Sequence, residues 1–491
     1  MTVTQIHLTL ISGLLLMPLT VLGGNCCDKA SDTPTSILSR QLYSESASFR
    51  FVTSPYASCA LRQFRRTFTY GTVGVGWDGS YLSEAVDPQR GSGSQYGFFS
   101  ADAEVKSSTS TLWGSAGYAN GIIRSVRYNE TADIDIIYPY VTADETGGDM
   151  RMERYSFSGG YAGHNGRLAW GASLSYAAGL YYRDVDPRPR NTTGVLDIDA
   201  GIALRVAGDY MLGMSAAYRK YRQTCDLMFM SEISEATVYH LTGLGNHYAR
   251  FTGSGYSNYY DGPRYTARLS MLPSSGIGLS LDAEVSRFTF EHVLKDLNRL
   301  PLASAWHNEL ALHTSWRHAG NVHSYGIKAE GRAYRRHGSE NIFGDAVTGT
   351  YPQIGSLEMY ADNLRSASAA IFYEHSGKRL SWSITPTLTY LYRSEIYASP
   401  YAERKTTDRI ASFEASVASI YGDRWYWRLT AEADAAYGGA FSPTRFGRMS
   451  LSVSRRLRRE HSLGIILGYL HADMHNGAVA NGGHAILQFI F

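Results

Sequence analysis

The sequence predicts an all-β chain folded as a single transmembrane antiparallel β-barrel of about 18 strands. Roughly 16 or 14 strands are the alternative counts, because weak strands such as 111–120 are hard to place. Three observations carry this reading. Apolar residues recur at period two in runs of about ten residues, with charges on the opposite parity and aromatics at the ends of the apolar face. Short polar turns alternate with long connections. The chain also ends inside a strand-like run on an aromatic residue, Phe491.

The clearest strand starts at Trp425. Trp425, Trp427, Leu429, Ala431, Ala433, Ala435 and Tyr437 share one face, and Arg428, Thr430, Glu432 and Asp434 share the other. Rings at the head-group level with small aliphatics between them suit a strand that crosses a bilayer. Leu168, Trp170, Leu174, Tyr176 and Tyr182 repeat the layout, as do Trp382, Ile384, Leu388, Tyr390 and Tyr392. The membrane-interface aromatics are therefore Trp170, Tyr182, Trp382, Tyr390, Tyr392, Trp425, Trp427 and Tyr437. A soluble sandwich also alternates, but seldom needs strands this long or so many charges on one face.

The polar parity gives the expected luminal charges. Its acidic members include Asp102, Glu104, Asp197, Asp199, Asp282, Glu284, Glu309, Glu330, Glu374, Glu414, Glu432 and Asp434; its basic members are Arg205, Arg219, Arg268, Lys328, Arg332 and Arg428. Such charges can pair with one another and hold the barrel's shape, or line a channel and select solutes. The excess of acidic positions points to a mild cation preference.

Turns fall near 105–111, 163–166, 208–209, 274–276, 318–321, 376–378, 422–424 and 458–460. Longer stretches fall at 79–93, 123–150, 184–192, 225–262, 291–302, 338–356, 396–406, 438–442 and 475–481. Short turns on one side and long loops on the other is the plan of outer-membrane barrels, with the short side periplasmic. An even strand count then places both termini in the periplasm. In the long loops, Tyr138, Tyr140, Tyr256, Tyr259 and Tyr260 suit either stacking on a partner or the ordering of the loop itself.

Three segments follow. Residues 1–24 read as a secretory signal, with an apolar stretch over 8–22 and small residues at Gly23 and Gly24, although no Lys or Arg precedes the stretch. Residues 25–64 are polar and weakly alternating, and read as a periplasmic extension or a plug. Residues 65–491 form the barrel. The last run, with Leu487, Phe489 and Phe491 on one parity, resembles the signal by which the barrel-assembly machinery recognises its clients.

Several function classes lack support. The formal charge of +2 gives no basic bulk for nucleic acid. No G-x-S-x-G or H-E-x-x-H motif occurs, and His471 and His475 straddle a strand end and a loop, where spacing of four has no helical meaning. Neither a metal, a cofactor nor an enzymatic reaction is expected. Of the four Cys, Cys26, Cys27, Cys59 and Cys225, none pair at zinc-site spacing, and their disulfide pairing stays open.

The segments Ser54-Pro55-Tyr56, Phe68-Thr69-Tyr70-Gly71 and Arg154-Tyr155-Ser156-Phe157-Ser158-Gly159-Gly160-Tyr161 carry a resemblance to a family of uncharacterised outer-membrane barrels of Bacteroidetes. The resemblance implies an outer-membrane location, contact with outer-membrane lipids, and work beside a TonB-dependent receptor. It implies no ligand-binding or catalytic residues. The expected function is passage of small solutes through a polar lumen, as a channel or accessory component. The alternative is a non-conducting barrel that docks an uptake receptor through its long loops.

Overall fold

The computed structural model describes residues 34–491, apart from 231–235, 254, 378 and 439–442. The expected signal at 1–24, together with Cys26 and Cys27, lies outside the described residues.

An 18-stranded antiparallel sheet closes on itself. Its strands are β1 (Tyr70–Leu82), β2 (Gly93–Lys106), β3 (Ser110–Val126), β5 (Gly148–Asn165), β6 (Leu168–Tyr182), β7 (Arg188–Ala207), β8 (Tyr210–Met228) and β11 (Asn258–Pro273). They continue as β12 (Gly278–Leu294), β13 (Leu300–Ala319), β14 (His323–Phe343), β15 (Gln353–Ser376), β16 (Ser381–Tyr397), β17 (Ala402–Tyr421), β18 (Trp425–Gly438), β19 (Pro443–Arg458), β20 (His461–Met474) and β21 (Val479–Ile490). Each barrel strand pairs with the barrel strands before and after it, and β1 pairs with β21 from Thr72↔Ile490 to Leu82↔Ala480. Closure leaves no open edge, so every strand's backbone donors and acceptors have a partner ladder.

At the seam, Gly71 and Phe491 exchange backbone hydrogen bonds of 2.7 and 3.0 Å. A Cβ on Gly71 would lie 2.6 Å from the Phe491 ring, so the missing side chain makes room for it. The first strand begins at Tyr70 rather than near residue 67. The preceding stretch is instead held by side chains, with Thr69 Oγ1 accepting from the Lys106 amide at 3.1 Å.

Alternation sets the two faces. Val75, Leu174, Ile198, Met214, Ile327, Leu388, Met449, Ile465 and Leu487 are exposed on the outside. Their neighbours of opposite parity face the interior. Trp170, Tyr182, Trp382, Tyr390, Tyr392, Trp425, Trp427 and Tyr437 all lie on the outer face, exposed or half-buried. Leu487 and Phe489 are exposed on the same face beside the seam.

The turn end and the loop end are distinct. Short turns at 107–109, 166–167, 208–209, 320–322, 422–424 and 459–460 lie at one end, as do the start of β1 and the end of β21. The other end carries the longer connections. Several are shorter than the sequence suggested, because the strands run further: β14 continues to Phe343 and β15 starts at Gln353, inside the stretch expected to be a loop.

Two long connections build structure of their own. The one between β3 and β5 holds helix α3 (Ile134–Ile137) and strand β4 (Val141–Asp144), and that between β8 and β11 holds β9 (Val238–Gly243) and β10 (Asn246–His247). These strands form a separate three-stranded sheet, with β4 and β10 on either side of β9.

Ahead of the barrel lie α1 (Ile37–Glu45), α2 (Ala47–Phe51) and two 3-10 turns, Ser54–Ala57 and Arg62–Phe64. Ser36 and Ser39 cap α1 reciprocally, and Ser46 accepts from the Phe49 amide to start α2. Caps of this kind define where such short helices begin. Helices this short are marginal alone and owe their stability to packing.

Candidate functional site

The lumen is crossed at both ends. At the turn end the crossing element is the segment 36–66. The Ser48 amide donates to Glu374 Oε2 at 2.7 Å on β15, and Arg317 Nη1 of β13 donates to the Ser48 carbonyl at 2.8 Å. Arg50 meets Glu414 of β17 at 2.5 Å, and Arg268 of β11 donates to the Ser54 carbonyl at 2.9 Å. Cys59 Sγ donates to the Gly171 carbonyl of β6 at 3.0 Å, Gln63 Nε2 donates to the Gly163 carbonyl of β5 at 2.9 Å, and Tyr426 OH of β18 donates to Glu45 at 2.6 Å. One short segment can reach strands on every side of the barrel only from within it.

Apolar contacts complete this crossing. Phe51, Val52, Tyr56, Leu61 and Phe64 pack with inward-facing Ala169, Ala203, Met211, Leu272 and Phe372. The Phe51 and Phe372 rings lie 4.3 Å apart. Arg62 stacks over Trp113 at 4.2 Å. Burial, with Asp199 beside it, raises the Cys59 thiol far above its ordinary value, so this cysteine is a buried donor and not a reactive thiolate.

At the waist, the inward-facing charges sort into pairs. Asp197 meets Arg219 at 2.6 Å. Glu309 is held by Arg264 at 3.0 Å and Arg332 at 2.5 Å. Arg268 binds Glu284 and lies 3.5 Å from Asp282. Glu330 receives Lys328 at 3.3 Å and His313 at 3.5 Å, and Glu432 lies 3.4 Å from Arg448. Asp434 and Asp199 carry no such ion pair among the described residues, and each has a buried Oδ1 without a hydrogen bond. Arg428 points into the turn-end crossing, donating to the Glu45 carbonyl and to Ser416 Oγ at 3.0 Å. Arg205 is exposed at the turn-end rim and joins no pair among the described residues.

Arg264, Arg448 and Arg50 were missing from the sequence reading. Arg264 shares the parity of Arg268, an expected inward position, and Arg448 that of Ser452, which is buried on β19, so alternation alone marks both as inward. Arg50 lies in no strand, and only the folded segment brings it to Glu414.

At the loop end, residues 127–147 fold back into the mouth. Ile134, Ile137, Tyr140 and Val141 pack with inward-facing Tyr221, Tyr260, Phe288, Phe290, Ala303 and Ala305. Asn191 Nδ2 donates to the Glu130 carbonyl at 2.6 Å, the Asp133 amide donates to Gln223 at 3.1 Å, and Arg336 donates to the carbonyls of Tyr138 and, at 3.2 Å, Ile136. Arg183 Nη2 reaches Asp144 at 2.6 Å and Glu130 at 3.8 Å, with all three side chains fully buried. Burial pushes the Glu130 carboxyl well above the usual carboxylate range, Asp144 adds to this, and Arg183 opposes it.

On the loop sheet, His240 is fully buried and neither ring nitrogen has a hydrogen-bond partner. Burial holds its pKa down to about 4. Its ring lies 5.5 Å from that of His292 on β12, which itself stacks on Tyr260 at 4.4 Å. Tyr140 and Tyr260 are both fully buried. They order the mouth and present no open face.

Residues 59–469 match DUF6850, a family of unknown function. The chain belongs to this family. No curated protein matches it. In outline the barrel is similar to a mutant of the ferric enterobactin receptor PfeA from Pseudomonas aeruginosa, at 8% identity and TM-score 0.39, over 87% of this chain and 81% of that one. It is also similar to BauA, the ferric preacinetobactin receptor from Acinetobacter baumannii, at 9% identity and TM-score 0.38, over 85% and 80% of the two chains. The ferric citrate transporter FecA gives 11% identity and TM-score 0.43, over 86% and 79%.

Proposed function

We propose that this protein is an outer-membrane barrel that passes small polar solutes through a gated lumen. The gate has two parts: the segment 36–66 at the periplasmic end and the loop 127–147 at the outer end. The observation that carries this reading is the double crossing of a lumen whose waist is lined by paired charges. A barrel with a purely structural role would gain more from an apolar interior than from paired charges.

The outer-membrane location is supported by the closed barrel and its apolar outer belt with aromatics at the margins. The turn end is then periplasmic, and both barrel termini lie there. Leu487, Phe489 and Phe491 on the seam support recognition by the barrel-assembly machinery. The reading calls for no cofactor and no catalytic step.

A second reading is favoured by the same double crossing: a barrel that stays closed and docks an uptake receptor, such as a TonB-dependent one, through its long loops. Ion flux from liposomes separates the two. The gated barrel leaks when residues 36–66 are removed and the mouth loop is unlatched, whereas a docking barrel needs no flux in any state. Fractionation of inner and outer membranes tests the location.

A further inference from the structure

The outer wall carries one feature that the gated lumen does not use. Between β1 and β6, level with the girdle residue Tyr182 near the loop end, lies a groove of about 410 Å3. Its floor is Gly97, and its sides are Trp77, Gln95, Asn120, Glu153, Arg151 and Tyr182.

These residues share two rows across the wall. Trp77 pairs with Gly97, Gly97 with Asn120, and Asn120 with Glu153. One step toward the loop end, Gln95 pairs with Ile122, Ile122 with Arg151, and Arg151 with Tyr182. One step the other way lie Phe99, Tyr118 and Tyr155, the upper edge of the belt. The Tyr118 and Tyr155 rings lie 4.9 Å apart. The groove therefore sits at head-group depth, directly above the hydrocarbon belt.

Amides and charges on a lipid-facing wall are costly unless something satisfies them. Here they are preorganised. Asn120 Nδ2 and Tyr155 OH both donate to Glu153, each at 3.3 Å. Arg151 meets Asp184 at 3.2 Å, with both side chains mostly exposed. Trp77 is 49% exposed and flanks the floor.

An amide pair, a carboxylate and a guanidinium set between two aromatic rings match a sugar. The rings cover its C–H faces, the amides and carboxylate take its hydroxyls, and the guanidinium takes an anionic substituent. Resting on the outer-membrane reading above, we propose that this groove binds the glycan head group of an outer-leaflet glycolipid. The acyl chains then run down the belt over Val75, Phe99 and Phe157, which are all exposed.

The floor offers a direct test. A Cβ on Gly97 would meet only the Gly76 carbonyl oxygen, at 3.9 Å, so a side chain fits there and fills the groove. The full chain is placed in phosphatidylethanolamine–phosphatidylglycerol nanodiscs with or without lipopolysaccharide lacking its O-chain. Native mass spectrometry after detergent release counts the glycolipid retained on each barrel. The wild type should retain one glycolipid, and Gly97→Phe should retain it at least about tenfold less often. Asn120→Leu should fall likewise, while Glu153→Gln, which keeps an acceptor, falls less. Should Gly97→Phe not form a heat-modifiable barrel, Trp77→Ala combined with Asn120→Leu carries the same expectation.

Equal retention by the wild type and the groove variants overturns the proposal. So does displacement of the phosphatidyl lipids and the glycolipid to the same extent. A protein that retains glycolipid in nanodiscs but fractionates away from the outer membrane contradicts the location and leaves the groove's chemistry standing.

Discussion

Arg183 donates to Asp144 at 2.6 Å with neither side chain exposed to solvent. The pair ties the residue just after β6 to the strand β4 of the in-folded mouth loop, and Glu130 shares the same dry site at 3.8 Å. Arg183 also donates to the carbonyls of Val185 and Pro187, at 3.2 and 3.0 Å. One guanidinium thus latches the mouth loop to the barrel rim.

Removing one partner of a buried pair costs at most roughly 3–5 kcal/mol, and here Glu130 stays as the more distant counter-charge. Asp144→Ala should therefore release the loop before it unfolds the barrel. Limited proteolysis should cut within 127–147 in this variant while the wild type resists. Uncut loops in Asp144→Ala would show that apolar packing alone holds the mouth.

At the turn end, Phe51→Ala removes the ring that meets Phe372. Truncation of a buried Phe costs about 3–5 kcal/mol. The loss should fall on the docking of 36–66, because the barrel's ladders do not involve Phe51. A cysteine-accessibility assay reads this directly: Cys59 should resist alkylation in the wild type and become modified in Phe51→Ala.

Acid should withdraw the contribution of His240 to the closed mouth, while the raised Glu130 carboxyl acts in the opposite sense. His240 titrates near 6.5 when exposed, and burial holds it at about 4 in the closed state. A His with a depressed pKa favours the closed state fully above 6.5. That contribution is lost as pH falls from 6.5 toward 4, because only the open state takes up the proton. The full difference amounts to roughly 3 kcal/mol. Below pH 6.5 the wild-type mouth should be cut faster relative to His240→Phe than it is above pH 6.5, so the ratio of the two cutting rates isolates the His240 contribution.

With residues 36–66 removed, the waist charges should set ion preference. Glu432→Ala with Asp434→Ala takes two carboxylates from the wall and leaves Arg448 without its partner at 3.4 Å. The reversal potential in a salt gradient should move toward anions. An unchanged potential would place the selective constriction elsewhere.

The barrel was legible because alternation has a period of two and a closed barrel gives each parity one environment. Trp425 to Tyr437 reads outward and Arg428 to Asp434 inward for that reason alone. The same regularity placed Asp197, Arg219, Asp282, Glu284, Lys328, Glu330 and Arg332 on the inner wall. It could not pair them, since the register that sets Asp197 beside Arg219 depends on how β7 and β8 slide. The crossings were less visible. Segment 36–66 has short capped helices without a strong period, and its docking rests on contacts far apart in sequence, such as Ser48 with Glu374. The mouth loop hides likewise, because Ile134, Ile137 and Tyr140 are a core only once Tyr221, Phe288 and Phe290 surround them.

The gate itself is tested most directly by single-channel conductance in planar bilayers. The intact chain, a chain lacking residues 36–66, and that deletion combined with Asp144→Ala are compared. A gated barrel should be silent when intact, open briefly once 36–66 is deleted, and show steady ion-selective steps in the combined variant. Steady conductance by the intact chain, or silence from the combined variant in a heat-modifiable barrel, would contradict the gate.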